Sequence, residues 1–429
     1  MKRFVNIITA SILLFLTCIF CCHQRIIAAE VRDDSAYIQN LIDTAPADYN
    51  GIKVVRIPNV NPNDMGGGNV YYLSNAIELS SNMRIELDNC TLRLNDGVLC
   101  NIFVSERCYD STMTSEEELE NISIIGIGNA VLDGGNHNGI TEKNSNAQNV
   151  RKNSSIHLRN VNGFRIEGIT VKEPRYWGIT LIFCRYGVVT DISFDCTGDA
   201  HAPNQDGIDL RHGCNNIDIS KITGTTGDDT VALTTLNGDV GYDIEGKNHD
   251  IHDVNIMDIK ASCVSGHGIV RLLCHNGNKI YNVNIKNVED VGINHVRGVL
   301  RVGDTNYTNG GTAMKYGDMY NVSIDGVISN GEYAILAPNP NVTTAHVEYK
   351  NITVKYIYGK LTNLKIDGVS CDAEHKDAND DGKCDLGGEM FDDGYDKSLV
   401  LLIIFISVSG AGIAGIAILF VIKKHRLKK

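Results

Sequence analysis

The sequence predicts an all-β fold: a right-handed parallel β-helix, or solenoid, with a short N-terminal capping helix and a C-terminal transmembrane helix. Three observations carry that expectation. A four-residue unit, apolar–x–small or polar–apolar, recurs eight times between Ile124 and Val369. No helical period interrupts the stretch from Glu120 to Ser370. Forty-two glycines against seven prolines and one tryptophan in 429 residues indicate many tight turns rather than disorder or a collagen-like chain.

From the N-terminus, Met1-Lys2-Arg3, an apolar run from Phe4 to about Phe20 and the small residues Ala28-Ala29 read as a secretory signal peptide over residues 1–29. Residues 30–370 are then the β-helix domain. Its open end needs a cover, which residues 34–45 supply: Tyr37, Ile38, Leu41 and Ile42 share one helical face behind Asp33 and Asp34. Residues 54–58 and 84–88 follow with the alternation of strands.

The recurring units begin at Ile124, Ile166, Val189, Ile219, Ile256, Ile285, Ile324 and Ile366, at spacings of 23 to 42 residues. Such spacings belong to repeat architectures. Each unit reads as a β-branched strand too short to bury its own apolar face, flanked by Asn and Gly turns. Stacked coil on coil, the units share one continuous core and leave unpaired edges only at the two ends. A β-propeller is the rival, but its blades need about four strands in ~40–50 residues and a blade signature that is missing here.

Beyond the repeats, residues 371–397 form an acidic juxtamembrane linker. Residues 398–422 are apolar over more than ~20 positions, enough for a helix to span a bilayer. The basic tail 423–429 marks the cytoplasmic side. Together these ends predict a single-pass type I membrane protein with its ectodomain at the cell surface. Three of the thirteen cysteines leave with the signal peptide. The other ten permit disulfides in an exported domain, Cys371 with Cys384 first among them. Burial as small apolar fillers is the alternative for the central five.

Charge narrows the partners. Eight of the 39 cations lie in the terminal segments, which leaves 31 against all 52 acids and a net −21 for the ectodomain. That balance excludes nucleic acid as a partner. It would also repel a polyanionic glycan at long range, so any acidic sugar must be held by a local arginine pocket.

Two segments pack acids beside glycines on consecutive coils: Asn204-Gln205-Asp206-Gly207-Ile208-Asp209 and Gly227-Asp228-Asp229-Thr230-Val231-Ala232-Leu233. One coil apart, their backbones would stack within ~5 Å. Carboxylates gathered that closely split their pKa values, so one is held protonated while others stay ionised. Glycoside hydrolysis requires this arrangement: an acid for the leaving oxygen and a base for water. Gly266-His267-Gly268 brings a histidine to the same surface from the next coil. Each segment alone is weak, because acidic turns in β-helices are commonly solvated or bind Ca²⁺. The ordered trio is more specific.

That ordered series resembles the polygalacturonase family, glycoside hydrolase family 28, with its Asn-Thr-Asp, Asp-Asp, Gly-His-Gly and Arg-Ile-Lys motifs. The capping helix and first strands likewise resemble the opening of pectate-lyase-superfamily β-helices. The likeness covers about residues 34–370. It implies that Asp228 is the general acid, that Asp206 and Asp229 activate the attacking water, and that His267 tunes or orients the acid. Asn204, Arg271 and Arg301 are implied as substrate-binding residues. Inversion of configuration is implied too, with no cofactor required. Gln205 replaces the family's threonine. More seriously, Arg301-Val302-Gly303 has glycine where the family has lysine. Losing one cation from a carboxylate clamp costs on the order of 1.5–3 kcal/mol of binding. Arg271 either replaces that cation or pairs with nearby acids.

The expectation is therefore an extracellular, monomeric glycosidase acting on a pectin-like or related plant-type polysaccharide. Two rivals share the fold: a Ca²⁺-dependent polysaccharide lyase and a catalytically inactive glycan-binding adhesin. Asp377, Asn379, Asp381 and Asp385 space oxygen donors around Gly382 as a Ca²⁺ loop does. Gly388 stands where an EF-hand has its bidentate glutamate, so a flexible acidic spacer is the alternative.

Overall fold

The computed structural model describes residues 32–371 except 199–203, 237–242, 293–297, 304–311, 313, 316, 329–332, 337–347, 359–360, 363 and 367–368. Helix α1 (Ser35–Thr44) covers one end of the stack, as the apolar face requires. Ile38 and Ile42 are buried, and Tyr37 and Leu41 pack against the same core. The two leading acids divide the work of holding it. Asp33 accepts the Ser35 backbone N–H at 3.0 Å, satisfying one of the N–H groups left free at the helix start. Asp34, fully buried, accepts the Tyr72 N–H and the side-chain amides of Asn61 and Asn63, each at 2.9 Å. Helix and first coils are thereby tied together.

Among the described residues the strands form a fifteen-stranded and a ten-stranded sheet, nearly all parallel. In the larger sheet, Ile124, Ile166, Val189, Ile219, Ile256, Ile285 and Ile324 stand in direct register, one per coil. All seven are buried. Burying such a side chain contributes about 1.5–3 kcal/mol, and each coil supplies several.

The recurring unit is not the plain strand its sequence suggests. In a flat strand, residues three apart face opposite sides. Yet Ile219 and Ile222 are both buried, as are Ile256 and Ile259. In six of these seven units the third residue resets the alternation by adopting left-handed φ: +71° at Gly168, +55° at Asp191, +54° at Lys221, +57° at Asp258, +54° at Asn287 and +83° at Gly326. Gly, Asn and Asp tolerate that region best, which is why the unit calls for a small or polar residue there. Neighbouring bends also bond along the stack, Asn287 Nδ2 donating to Asp258 Oδ1 at 2.9 Å.

Three expectations need correction. A five-residue helix, α2 (Ala147–Arg151), lies in the stretch expected to hold none. It is too short to show a period, and Asn146 caps it by accepting the Asn149 N–H at 2.8 Å. Residues 354–357 form an unrecognised rung, with Val354 beside Ile324 and Ile357 beside Val327; Tyr356 at the third position hid it. The last unit, at Ile366, stacks parallel but out of register, beside Tyr349 rather than Val354. Leu364–Ile366 and Val369–Cys371 pair antiparallel, with Ile366 opposite Val369.

Cys90, Cys100, Cys108, Cys184, Cys196, Cys214, Cys263 and Cys274 are free thiols, seven of them buried. Burial pushes the Cys90 and Cys214 thiols up to about 12, as expected of inert fillers. Cys384, the expected signal peptide, the candidate Ca²⁺ ligands Asp377, Asn379, Asp381 and Asp385, and the expected membrane span 398–422 with its basic tail lie outside the described residues. Among the described residues no helix is long and apolar enough to cross a membrane.

Candidate active site

The ten-stranded sheet floors the site. Its strands Ile156–Arg159, Ile179–Ile182, Ile208–Leu210, Val231–Thr235, Val270–Cys274 and Gly298–Val302 stack in that order. Ile208 and Leu210 point into the core, so Asp209 between them must face the other way. Register then builds one outward column from successive coils: Thr180, Asp209, Ala232, Arg271, Arg301.

The turns before these strands carry the expected acids. Backbone bonds lock the turns together: Gly227 and Asp228 N–H donate to the Gln205 carbonyl at 2.9 and 3.1 Å, and Gly207 N–H donates to the Asp229 carbonyl at 2.9 Å. Gly207 is obligatory here, because a Cβ would lie 2.4 Å from the Thr230 carbonyl oxygen. Gln205, in place of threonine, anchors its own turn by donating to the Pro174 carbonyl at 2.8 Å. From the next coil, His267 Nδ1 hydrogen-bonds Asp228 Oδ1. The Asp229 N–H donates to that same oxygen at 2.9 Å. Both partners thus engage Oδ1, on the side of Asp228 away from Oδ2.

Electrostatics separates the carboxyls. Burial, then the charges of Asp209, Asp228 and Asp229, hold Asp206 well above the usual carboxylate range. Asp209 is also held well above it by burial, against the pull of Arg211. Burial raises Asp229 as well, and Arg271, donating to Asp229 Oδ2 at 3.3 Å, opposes the rise. His267 is raised above its ordinary value first by its bond to Asp228, against desolvation. Among the described residues, Asp206 Oδ1, Asp209 Oδ2 and Asp229 Oδ1 are buried with no hydrogen-bond partner. Such atoms are costly in a core and are expected where a reactant or water docks.

A cavity of about 380 Å³ opens over this floor, lined in part by Asn204, Asp206, Asp209, Asp229 and Arg271. Asp228 and His267 stand at its margin rather than in its lining. Arg301 reaches the group from the Gly298–Val302 strand: a Cβ on Gly268 would meet Asp229 Oδ1 at 3.1 Å and Arg301 Cδ at 3.2 Å. All seven expected catalytic and substrate-binding residues therefore gather on three turns and two strands. Arg271 lines the cavity and pairs with Asp229, the second of the two sequence readings of it. Gly303 has φ of +73°, a conformation lysine adopts only under strain. The departure from the Arg-x-Lys pattern is thus built into the backbone.

Sequence reasoning missed Asp209, Arg211, Arg151 and Trp177. Asp209 was recoverable, since strand alternation places it beside Arg271 and Ala232. Arg151 and Trp177 carried no local signal, because only the stacking of α2 and a distant turn brings them to this wall. Donor atoms of Asp228, Asp229 and His267 lie within 4.8 Å of one another and suit a divalent cation. The His267–Asp228 hydrogen bond uses two of the same donors.

Residues 75–382 match the pattern of glycosyl hydrolases family 28. Comparison with curated protein sequences finds no match. Among solved structures, the chain is similar to a hyperthermoactive exopolygalacturonase from Thermotoga maritima at 18% identity and a TM-score of 0.51, covering 77% of this chain and 75% of that one. It is also similar to a polygalacturonase from Erwinia carotovora ssp. carotovora (16% identity, TM-score 0.47, 79% and 91% covered). A family 28 exopolygalacturonase from Yersinia enterocolitica gives 16% identity and a TM-score of 0.47, with 81% and 74% covered. At these identities the first likeness speaks to the fold, the parallel β-helix. Function rests on the family match and the site.

Proposed function

The chain belongs to glycosyl hydrolases family 28, and on that premise we propose that it hydrolyses a pectin-like polysaccharide by acid–base catalysis with inversion. The observation that carries this reading is the convergence of Asp206, Asp228 and Asp229 from adjacent coils, with His267 bonded to Asp228.

In this reading Asp228 delivers a proton from Oδ2 to the glycosidic oxygen as the bond to the anomeric carbon breaks. A water oxygen bonds to that carbon from the opposite face and gives its proton to the Asp206–Asp229 pair. Arg271 keeps Asp229 available as a base, while Asp206 holds the pair's shared proton. Solvent returns the proton to Asp228. Arg301, beside Asp229, holds the sugar on the C-terminal side. Family membership favours hydrolysis over elimination and over a purely glycan-holding role.

The same proposal sets the enzyme outside the cell, released from the 1–29 signal and anchored by residues 398–422. Its support is the sequence pattern at both ends. Reducing-end release from a panel of pectic and hemicellulosic glycans tests the activity. Release from a pectic glycan by the wild type, reduced ~10²–10⁴-fold in Asp228→Asn, is the expected result. No release, or release unchanged in the variant, overturns the reading.

A further inference from the structure

Glu173 is buried, at 5% exposure, one residue beyond the strand Val161–Lys172. Its φ is +42°, a left-handed conformation that a non-glycine residue keeps only where surrounding contacts over-determine it. Among the described residues that line the cavity are Asn204 and Asp206, but neither Glu173 nor Gln205. The hydrolytic steps use neither of those two side chains. A carboxylate out of water has to be compensated by hydrogen bonds, so its partners identify its role.

Both oxygens of Glu173 are engaged on the next coil. Oε1 accepts the Gly198 N–H at 2.5 Å. Oε2 accepts the side-chain amide of Gln205 at 3.3 Å, and that amide also donates to the Pro174 carbonyl at 2.8 Å. Two consecutive residues of one coil thus hold a single side chain of the next. Gly198 suits the contact, because a Cβ there would lie 2.7 Å from Glu173 Oε1. At position 205, the threonine of the family pattern would end well short of the amide nitrogen that reaches both acceptors.

The backbone of Gln205 carries the link onward. Its carbonyl accepts the N–H groups of Gly227 and Asp228 at 2.9 and 3.1 Å. The next carbonyl, of Asp206, accepts the Gly178 N–H at 2.8 Å. A chain of contacts therefore runs across three coils, from Glu173 through the side chain and carbonyl of Gln205 to the main chain of Asp228. Its consequence is kinetic, since misplacing a reacting group by about 1 Å can cost ~10²-fold in rate.

We propose that Glu173 is a positioning residue: acting through Gln205, it fixes the main chain from which Asp206 and Asp228 project. The inference rests on the acid–base reading of the site for its catalytic consequence. Glu173 touches neither the sugar nor the attacking water and takes no part in proton transfer. The device belongs to this chain's own departure from the family pattern, because it needs glutamine at 205.

Glu173→Gln keeps the shape of the side chain but sets an amide donor against one of the two N–H donors. It should lower kcat about ten- to a hundredfold and leave KM within about twofold, because no substrate contact is lost. Gln205→Thr should lower kcat in the same direction. The double variant should be no slower than the slower single one, the non-additivity expected of residues that act in series. Hydrogen exchange at the Gly227 and Asp228 amides needs no substrate. It should quicken in both single variants, while exchange in the strand Ile280–Asp290 stays as in the wild type.

Unchanged kcat in both single variants would overturn the proposal. So would a rise in KM at constant kcat, additive losses in the double variant, or unchanged exchange at the two amides. Circular dichroism identifies a folding defect in Glu173→Gln, and Gln205→Thr then decides. If the wild type releases nothing from any glycan, the hydrolase reading fails, and exchange alone decides whether Glu173 holds the turn.

Discussion

His267 and Asp228 meet across two adjacent coils, Nδ1 against Oδ1, although 39 residues separate them in the chain. Their turns precede strands in direct register, Val231 beside Val270, so the meeting is fixed by backbone pairing rather than by chance side-chain reach.

This pairing sets a pH dependence. The bond raises the His267 pKa, so its contribution to stability is fully present below the unfolded value of ~6.5. It is lost as pH rises through the elevated folded value. The difference in Tm between wild type and His267→Gln should therefore be largest near pH 6 and shrink on the alkaline side. Activity should lose the corresponding alkaline limb in the variant. A pH-independent difference in both quantities would contradict this.

Asp206 carries the opposite sign. Its folded pKa lies well above the ordinary carboxylate value, so ionisation costs stability as pH rises from the unfolded pKa toward the folded one. Asp206→Asn removes that cost. Urea unfolding at pH 7 should show the variant more stable than wild type. The gain should vanish near pH 3, while hydrolysis falls at least ~10²-fold throughout.

Gly207 tests how tightly the two acidic turns are coupled. Alanine there would place Cβ 2.4 Å from the Thr230 carbonyl and 3.0 Å from the Phe194 ring. The turn must shift, and the Gly207–Asp229 backbone bond with it. A loss of about 1–3 kcal/mol is expected, with a fall in kcat that exceeds what the unfolded fraction explains. Thermal melts and initial rates on one preparation compare the two.

Gly303→Lys restores the family's cation by sequence but places lysine at φ +73°. The left-handed conformation costs roughly 1–2 kcal/mol. Tm should fall, and KM for de-esterified pectin should not improve. An improved KM at unchanged Tm would show that the backbone accommodates lysine after all.

Much of the fold is legible in the sequence because the core repeats. Ile219, Ile256 and Ile285 announce themselves by type and spacing, and stacking then follows from the need to bury them. The bend that makes the unit work is written there too, in Asp191, Asp258 and Asn287, but it reads as a strand until φ is known. The rung at Val354 escaped notice because Tyr356 breaks the small-or-polar rule. The Ile366 unit satisfied that rule, yet Ile366 pairs antiparallel with Val369.

By itself the sequence determined the parallel stack, the capping helix and the gathering of the acidic trio with its histidine. Each is encoded locally, by a short motif whose neighbours in space are one coil away. The tertiary structure alone decided the far wall of the cavity, where Arg151, Trp177 and Arg211 come from three different segments with no shared pattern. It also decided that Gly303 cannot simply be read as a missing lysine. Register transmits local motifs faithfully from coil to coil. Loops and short helices that reach over the sheet obey no such repeat, and their meeting is settled only by packing.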